Sequence, residues 1–301
     1  MRPRERSVRY ANKLNNFLFV SKGNMPNSNI ILSQGDNLII DASRGTLTKK
    51  FPHLYASKGA RIGLLSLSIY NSWDNVSASF GNLTGASYLF DGVSYPVDYL
   101  AGNYSIEQLN DYLEHRMDLD GNWLLNDEGQ KVFFLKFETN ETYYSVTITV
   151  TPVPTALPAG WSNPNGLALS GDSPQLVVAD TNWRRLIGLE AGTYPSAPAT
   201  VKTRINGTAV PVISEVTSIL VLCDWCNNSR FSSNGQVIGT FVANVGVGEL
   251  VSISPSVVTT YDVISRMYDG ITIRLVDQSY RPLQIKDASN LVITLLLEEA
   301  E

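Results

Sequence analysis

The chain has 301 residues, 44% of them hydrophobic and 17% charged, and a formal net charge of −5. That is apolar material for one large core or two smaller ones, with less charge than the quarter usual in soluble domains. The acidic balance argues against nucleic acid as main partner of the whole chain, two cysteines exclude a disulfide framework, and no run of eighteen apolar residues offers a transmembrane helix.

Residues 1–28 read as a basic N-terminal arm. Arg2, Arg4, Arg6, Arg9 and Lys13 face one acid, Glu5, and Phe17 to Val20 form its one apolar anchor. No sustained apolar stretch follows the basic start, so no signal peptide is expected and the expected compartment is reducing and intracellular. Arms of this kind lie along nucleic acid or thread beneath neighbouring subunits, or are simply solvated tails; on the first reading the five basic residues are a candidate tether to a shell or to DNA.

From Asn29 the pattern turns to strands, at 29–33 and 37–41, followed by an expected loop bearing Gly45, Lys49 and Lys50. Arg61 to Tyr70 is a long strand whose second half alternates Leu65, Leu67 and Ile69 with Ser66, Ser68 and Tyr70. From about residue 74 to 212 the texture changes. Short strands are expected at 86–90, 131–137 and 142–150, and Pro-rich loops at 152–164 and 194–198. One helix is expected after Ser105: Gln108 stands at the capping-box position, and Ile106, Leu109, Tyr112 and Leu113 make an apolar stripe. Residues 180–189 offer a short helical turn. Strands return at 215–223, 236–242, 249–254 and 270–278, and the last, 290–298, is apolar on both faces, which predicts cover on both sides. Many strands, few helices and frequent turn residues predict an all-β sandwich or barrel.

Catalytic groupings are scarce. His53 is expected in a loop and His115 on the polar side of the helix, neither beside a nucleophile. Cys223 and Cys226 have redox or zinc spacing, but residues three apart at a strand end are expected to point to opposite faces. Asp118 to Glu128 resembles a calcium loop, yet Trp123 stands where glycine is required and Gly129 where glutamate is. Glu138 and Glu141 are a carboxylate pair flanking Thr139-Asn140, an expected hairpin turn; an enzyme would need them in a cleft. No catalytic, cofactor-binding or metal-ligating residue is assigned. The sequons at Asn75, Asn82, Asn103, Asn140, Asn206 and Asn228 would matter only in a secreted chain.

Several segments occur together in order: Leu64-Leu-Ser-Leu-Ser-Ile-Tyr-Asn-Ser-Trp-Asp-Asn75, Gly102-Asn-Tyr-Ser-Ile-Glu-Gln-Leu-Asn-Asp-Tyr-Leu113, Leu186-Ile-Gly-Leu189, Ile219-Leu-Val-Leu-Cys-Asp224, and Val276-Asp-Gln278 through Leu283 to the last strand. In this order and spacing the chain, over about 64–298, resembles the minor capsid (penton) proteins of virophages and of the related Polinton (Maverick) elements and adintovirus-like viruses. The resemblance implies a single jelly-roll β-sandwich forming homopentamers at the vertices of an icosahedral shell, beside a double jelly-roll major capsid protein. It implies a virion location, no enzymatic role and no cofactor. With it, the expected organisation is the arm at 1–28, a jelly roll from 29–73 plus 213–301, and an outward, mostly β insertion at 74–212 carrying the helix. The arm is then the candidate contact with encapsidated DNA or the inner shell, and the outer surface a candidate contact with a host receptor. The alternative is a jelly-roll carbohydrate-binding or host-attachment module using Trp73, Tyr95, Trp123 and Trp161, which requires those rings to converge on one exposed face.

Overall fold

The computed structural model describes residues 27–34, 37–179, 181–226 and 236–299. The arm with Arg2, Arg4, Arg6, Arg9 and Lys13, and the sequon at Asn228, lie outside them. In chain order the first strands are β1 (Asn27–Ser33), β2 (Leu38–Asp41), β3 (Thr46–Ala56) and β4 (Arg61–Tyr70). A middle section follows: β5 (Ala86–Phe90), β6 (Val93–Val97), α1 (Ile106–Leu119), β7 (Leu124–Leu125), β8 (Lys131–Val132), β9 (Leu135–Asn140), β10 (Ser145–Val150), β11 (Gln175–Val178), α2 (Thr181–Ile187), β12 (Gly192–Tyr194) and β13 (Thr203–Asn206). The chain closes with β14 (Ile219–Cys223), β15 (Val237–Phe241), β16 (Leu250–Ile253), β17 (Thr260–Asp262), β18 (Met267–Asp277) and β19 (Val292–Glu298).

Two antiparallel sheets form the sandwich. One runs β1-β19-β4-β16, with β17 also on β4; the other runs β15-β14-β18-β3-β2. The chain alternates between them: β1 in the first, β3 in the second, β4 back, β14 and β15 across, β16 back, β18 across, β19 back. Each sheet therefore interleaves early and late strands, β1 beside β19 and β3 beside β18. That wrapping is the jelly roll, so the fold is all-β as expected. Alternation along the strands supplies its core: Leu32, Leu47, Ile62, Leu67, Ile69, Ile219, Val221, Ile271, Ile273, Leu275, Ile293 and Leu295 are all buried between the sheets.

A second core lies in the middle section. It joins the sheet β13-β10-β9, the sheet β12-β11-β5-β6 and α1. Ser105 caps α1 as its sequence predicts: its Oγ accepts from Gln108 N at 3.2 Å, and Gln108 Oε1 accepts from Ser105 N at 2.9 Å. Ile106, Leu109, Leu113 and Met117 face the core. Losing such a cap costs about 1 kcal/mol. Ser105→Ala is accordingly expected to lower stability by about that much, read as a shift in the denaturant midpoint; Ser105→Asp should retain most of it.

Several expectations are corrected. The loop expected after Asp41 is largely β3, eleven residues long. Its Lys49, Lys50, Pro52 and His53 hide the strand pattern, but β2 and β18 supply its ladder partners, and a bulge opposite Asp269 absorbs residues 51–54. His53 is thus an exposed strand residue. The helical turn at 180–189 is the seven-residue α2, a second helix where one was expected. The strands β6, β11, β12, β13 and β17 were not expected; all have five residues or fewer, too short for a readable period. The last strand is covered on one face only: Ile293, Leu295 and Leu297 are buried, while Val292, Thr294 and Leu296 stay partly exposed.

Candidate assembly surfaces

The residues singled out for chemistry take structural roles. Cys223 and Cys226 do not diverge, because the chain turns at Asp224-Trp225 after β14 and both thiols enter the sandwich core. Burial pushes the Cys223 thiol well above its ordinary range, which disfavours the reactive thiolate. His115 is exposed on α1. Glu138 lies within β9 rather than in a turn, and the turn is 141–144, since Asn140 pairs with Ser145. Its carboxylate binds Arg204 at 2.6 Å and Lys136 at 3.1 Å, which hold it below the usual carboxylate range. The calcium-like segment is spent on protein contacts as well. Asp118 pairs with Lys131, Asp120 accepts from Tyr88 Oη at 2.7 Å, and Asn126 Oδ1 accepts from Glu128 N and Gln130 N. Among the described residues no three His, Cys, Asp or Glu side chains gather as a metal site.

The four aromatics of the carbohydrate alternative do not make one exposed set. Trp73 is 6% exposed and packs in the sandwich core. Tyr95 stacks on Tyr88, and Trp161 packs against the second core. Trp123 donates from Nε1 to Asp118 O and lies under Lys131 Nζ, 4.7 Å from its ring centroid. Two sequons are also structural: Asn75 and Asn82 are 2% and 0% exposed, so neither could accept a glycan as folded.

Two concavities among the described residues hold about 20 and 90 Å³. Small-molecule sites are larger, of the order of 300–1,000 Å³. The smaller concavity lies where the two cores meet, between Trp73, Phe80 and Arg281. Charged side chains lock that junction. Arg281 donates to Asp277 Oδ2 at 2.7 Å, lies over the Phe80 ring at 4.5 Å and approaches the buried Glu215 at 4.0 Å. From the other side Arg185, on α2, reaches Glu215 at 3.7 Å. Lys286 pairs with the buried Asp74 at 2.7 Å and donates to Ala101 O.

What remains accessible is surface of a kind suited to protein contact. The sandwich has two ends. At one, β4 runs out at Tyr70 into the middle section, and the loops 242–249 and 278–291 lie alongside; Gly248 N donates to Asn71 O, and Asp287 N to Ser72 Oγ. At the other end Asn27 pairs with Glu298, which pairs with Arg61 at the start of β4. The ten residues of β4 separate the ends by about 30 Å at ~3.3 Å per residue. The chain preceding Asn27 therefore joins the sandwich at the end away from the middle section. Large apolar side chains are exposed near both: Val242, Val247 and Leu250 at one, Leu54, Val257, Ile264 and Met267 at the other. Beside the latter, Tyr55 Oη donates to Glu299 at 3.3 Å; its burial and that carboxylate push the phenol up to about 12. Among the described residues, strands β1, β2 and β15 are sheet edges.

No protein-family profile matches the chain, and no curated protein matches it. Among solved structures the chain is similar to the mavirus penton protein, at 9% identity and a TM-score of 0.46, over 91% of this chain and 99% of that one. It is also similar to a chain of the Sputnik virophage structure determined by cryo-EM, at 10% identity and a TM-score of 0.39, over 92% of this chain and 98% of that one.

Proposed function

We propose that the chain is a capsid subunit forming the homopentameric vertex of an icosahedral virion, with the middle section displayed outward and the N-terminal arm directed inward. The observation that carries this reading is the opposition of two charged appendages across one jelly roll. Residues 74–212 contain fifteen Asp and Glu against seven Lys and Arg, whereas residues 1–28 contain six Lys and Arg against one Glu. The acidic section leaves one end of the sandwich, and the basic segment joins it at the other. A packed genome repels the first and attracts the second, so the charge partition orients the subunit in a nucleic-acid-filled shell. Arg2, Arg4, Arg6, Arg9 and Lys13 are then the inward tether to DNA or the inner shell.

The reading keeps residues 29–73 and 213–301 as the jelly roll and 74–212 as the insertion; the grouping of buried side chains into two clusters supports such a division, with Val216 in the first and Ile213, at the boundary, packed against the second. A five-fold ring needs heterologous contacts on two sides of each subunit, and a rim on the major capsid protein. The low charge, abundant Ser, Thr and Asn, and exposed apolar side chains at the sandwich ends suit such contacts. The outermost surface of the insertion is the part available to a host receptor.

Native mass spectrometry of the purified protein, alone and mixed with the major capsid protein of the same virus, tests the reading. A species of five times the 33.1 kDa chain is expected. A monomer or dimer under both conditions would overturn it.

A further inference from the structure

The outer face of the β13-β10-β9 sheet is polar throughout. On the inner face Val146, Ile148 and Val150 enter the second core. On the outer face Arg204 opposes Thr149, which opposes Lys136; Asn206 opposes Thr147, which opposes Glu138; and Ser145 opposes Asn140. Residues directly opposite one another lie on the same face, so these make one surface. Their side chains bond one another and the hairpin that joins β9 to β10. Arg204 and Lys136 both reach Glu138. Thr147 Oγ1 accepts from Asn140 Nδ2 at 2.9 Å and donates to Asn206 Oδ1 at 2.8 Å, and Asn140 Oδ1 accepts from Tyr143 N at 3.3 Å. Two features set this face apart from a merely solvated one. Ser145 and Thr149 are 2% and 3% exposed, and neither hydroxyl oxygen has a hydrogen-bond partner among the described residues; a buried hydroxyl left unpaired is costly. Beside Ser145, the hairpin presents Tyr143 and Tyr144 68% and 74% exposed, Tyr144 with a φ of 49°. Glycine holds that left-handed conformation without strain and tyrosine does not, and strain of this kind is kept at binding sites.

We propose that this face, with Tyr143 and Tyr144 at its end, binds a neutral oligosaccharide. Small-molecule sites are concave, and this is an open sheet surface. Protein interfaces desolvate an apolar centre, and no residue of this face is apolar. Nucleic acid needs net positive charge, and here Lys136 and Arg204 are matched by Glu138 and by Glu141 in the hairpin. A neutral sugar needs what is present: Ser, Thr and Asn groups able to donate and accept, beside exposed tyrosine rings that offer rigid, amphipathic contact area. Arg204 and Lys136, whose side chains are 66% and 48% exposed, flank Thr149 and swing aside to admit ligand hydroxyls to its Oγ1. Three strands and the five residues from Ser145 to Thr149 span about 10 Å by about 13 Å, room for a short oligosaccharide. None of Trp73, Tyr95, Trp123 and Trp161 takes part. The site stands on its own geometry; its use as the contact with a host receptor rests on the capsid reading.

The test titrates the full chain calorimetrically with maltohexaose, cellohexaose, mannohexaose and N-acetylchitohexaose, and with heparin hexasaccharide as a polyanion. Saturable binding of at least one neutral sugar is expected. Thr149→Val and Tyr144→Gly should each weaken it about tenfold, the scale of one lost hydrogen bond or ring contact. Thr149→Val removes an unpartnered hydroxyl and Tyr144→Gly relieves the left-handed backbone, so both variants should keep or raise the thermal midpoint, and weakened binding then does not reflect unfolding. Binding of none of the neutral sugars, binding of heparin alone, or binding unchanged in either variant would overturn the assignment. The titration does not depend on oligomeric state, so this site and the pentameric vertex fail or stand separately.

Discussion

Replacing Trp225 by alanine is expected to remove about 3–5 kcal/mol of stability, the range for large aromatic deletions from cores. Trp225 is fully buried at the turn that ends β14. Its ring stacks on Tyr55 at 5.4 Å, meets Phe51 edge-on at 5.7 Å and lies 4.4 Å from Tyr268. Nε1–H donates to Gly270 O at 3.0 Å, so removal also strands a carbonyl inside β18. One side chain thus ties β3, β14 and β18 together at the end of the sandwich where β1 begins. Trp225→Phe keeps most of the packing but loses the hydrogen bond and should fall between the two. Denaturant titrations followed by near-UV circular dichroism would measure the series. A loss below about 0.5 kcal/mol for the alanine variant, the scale of an ordinary surface change, would sink the claim that this cluster closes the sandwich.

Asn75→Ala is expected to be nearly as costly although it removes few atoms. Asn75 is almost fully buried beside the junction of the cores. Its Nδ2 donates to Tyr104 O and Ile213 O, and its Oδ1 accepts from Tyr104 N, all at 2.8–2.9 Å. Alanine leaves two carbonyls and one N–H without partners, each costing about 1–3 kcal/mol if it stays dry; a loss of about 3 kcal/mol allows for partial rehydration. Asn75 joins the first residues of the middle section to Tyr104 just before α1 and to Ile213 where the chain returns to the sandwich. Hydrogen exchange should therefore accelerate around 102–113 and 211–216 more than in β18 or β19. Equal acceleration throughout would show that the residue does not act at the junction. Asn75→Asp should not rescue, because a carboxylate cannot donate to the two carbonyls.

Asn75 also marks how far sequence reasoning could reach. In the chain it is the first residue of a sequon and the last of one segment of the resemblance; only the fold brings Tyr104 and Ile213 to it from 29 and 138 residues away. Cys226 is similar. Period-two reasoning sends it away from Cys223, but the strand ends at Cys223, three residues short of Cys226, and the turn redirects it inward. β3 was hidden for a different reason. Its Lys49 has the inward parity of Leu47 and escapes the core by reaching across to Ile31 O at 2.8 Å, a solution open only where an edge of the other sheet stands nearby.

Elements whose stability is local were legible. The Ser105–Gln108 capping box and the stripe of α1 are properties of Ser105 and the fourteen helical residues that follow it, and the alternation of Ile271, Ile273 and Leu275 needs no partner to be recognised. Composition and that alternation were enough for an all-β chain, because periodicity and residue type are encoded one position at a time. The pairing of β1 with β19, the start of β1 at the end of the sandwich away from the middle section, the conversion of candidate ligands into ion pairs and the partial exposure of Val292, Thr294 and Leu296 were decided by the tertiary structure alone. Each depends on residues brought together across most of the chain's length, and no local pattern records which distant strand will supply the missing hydrogen bonds.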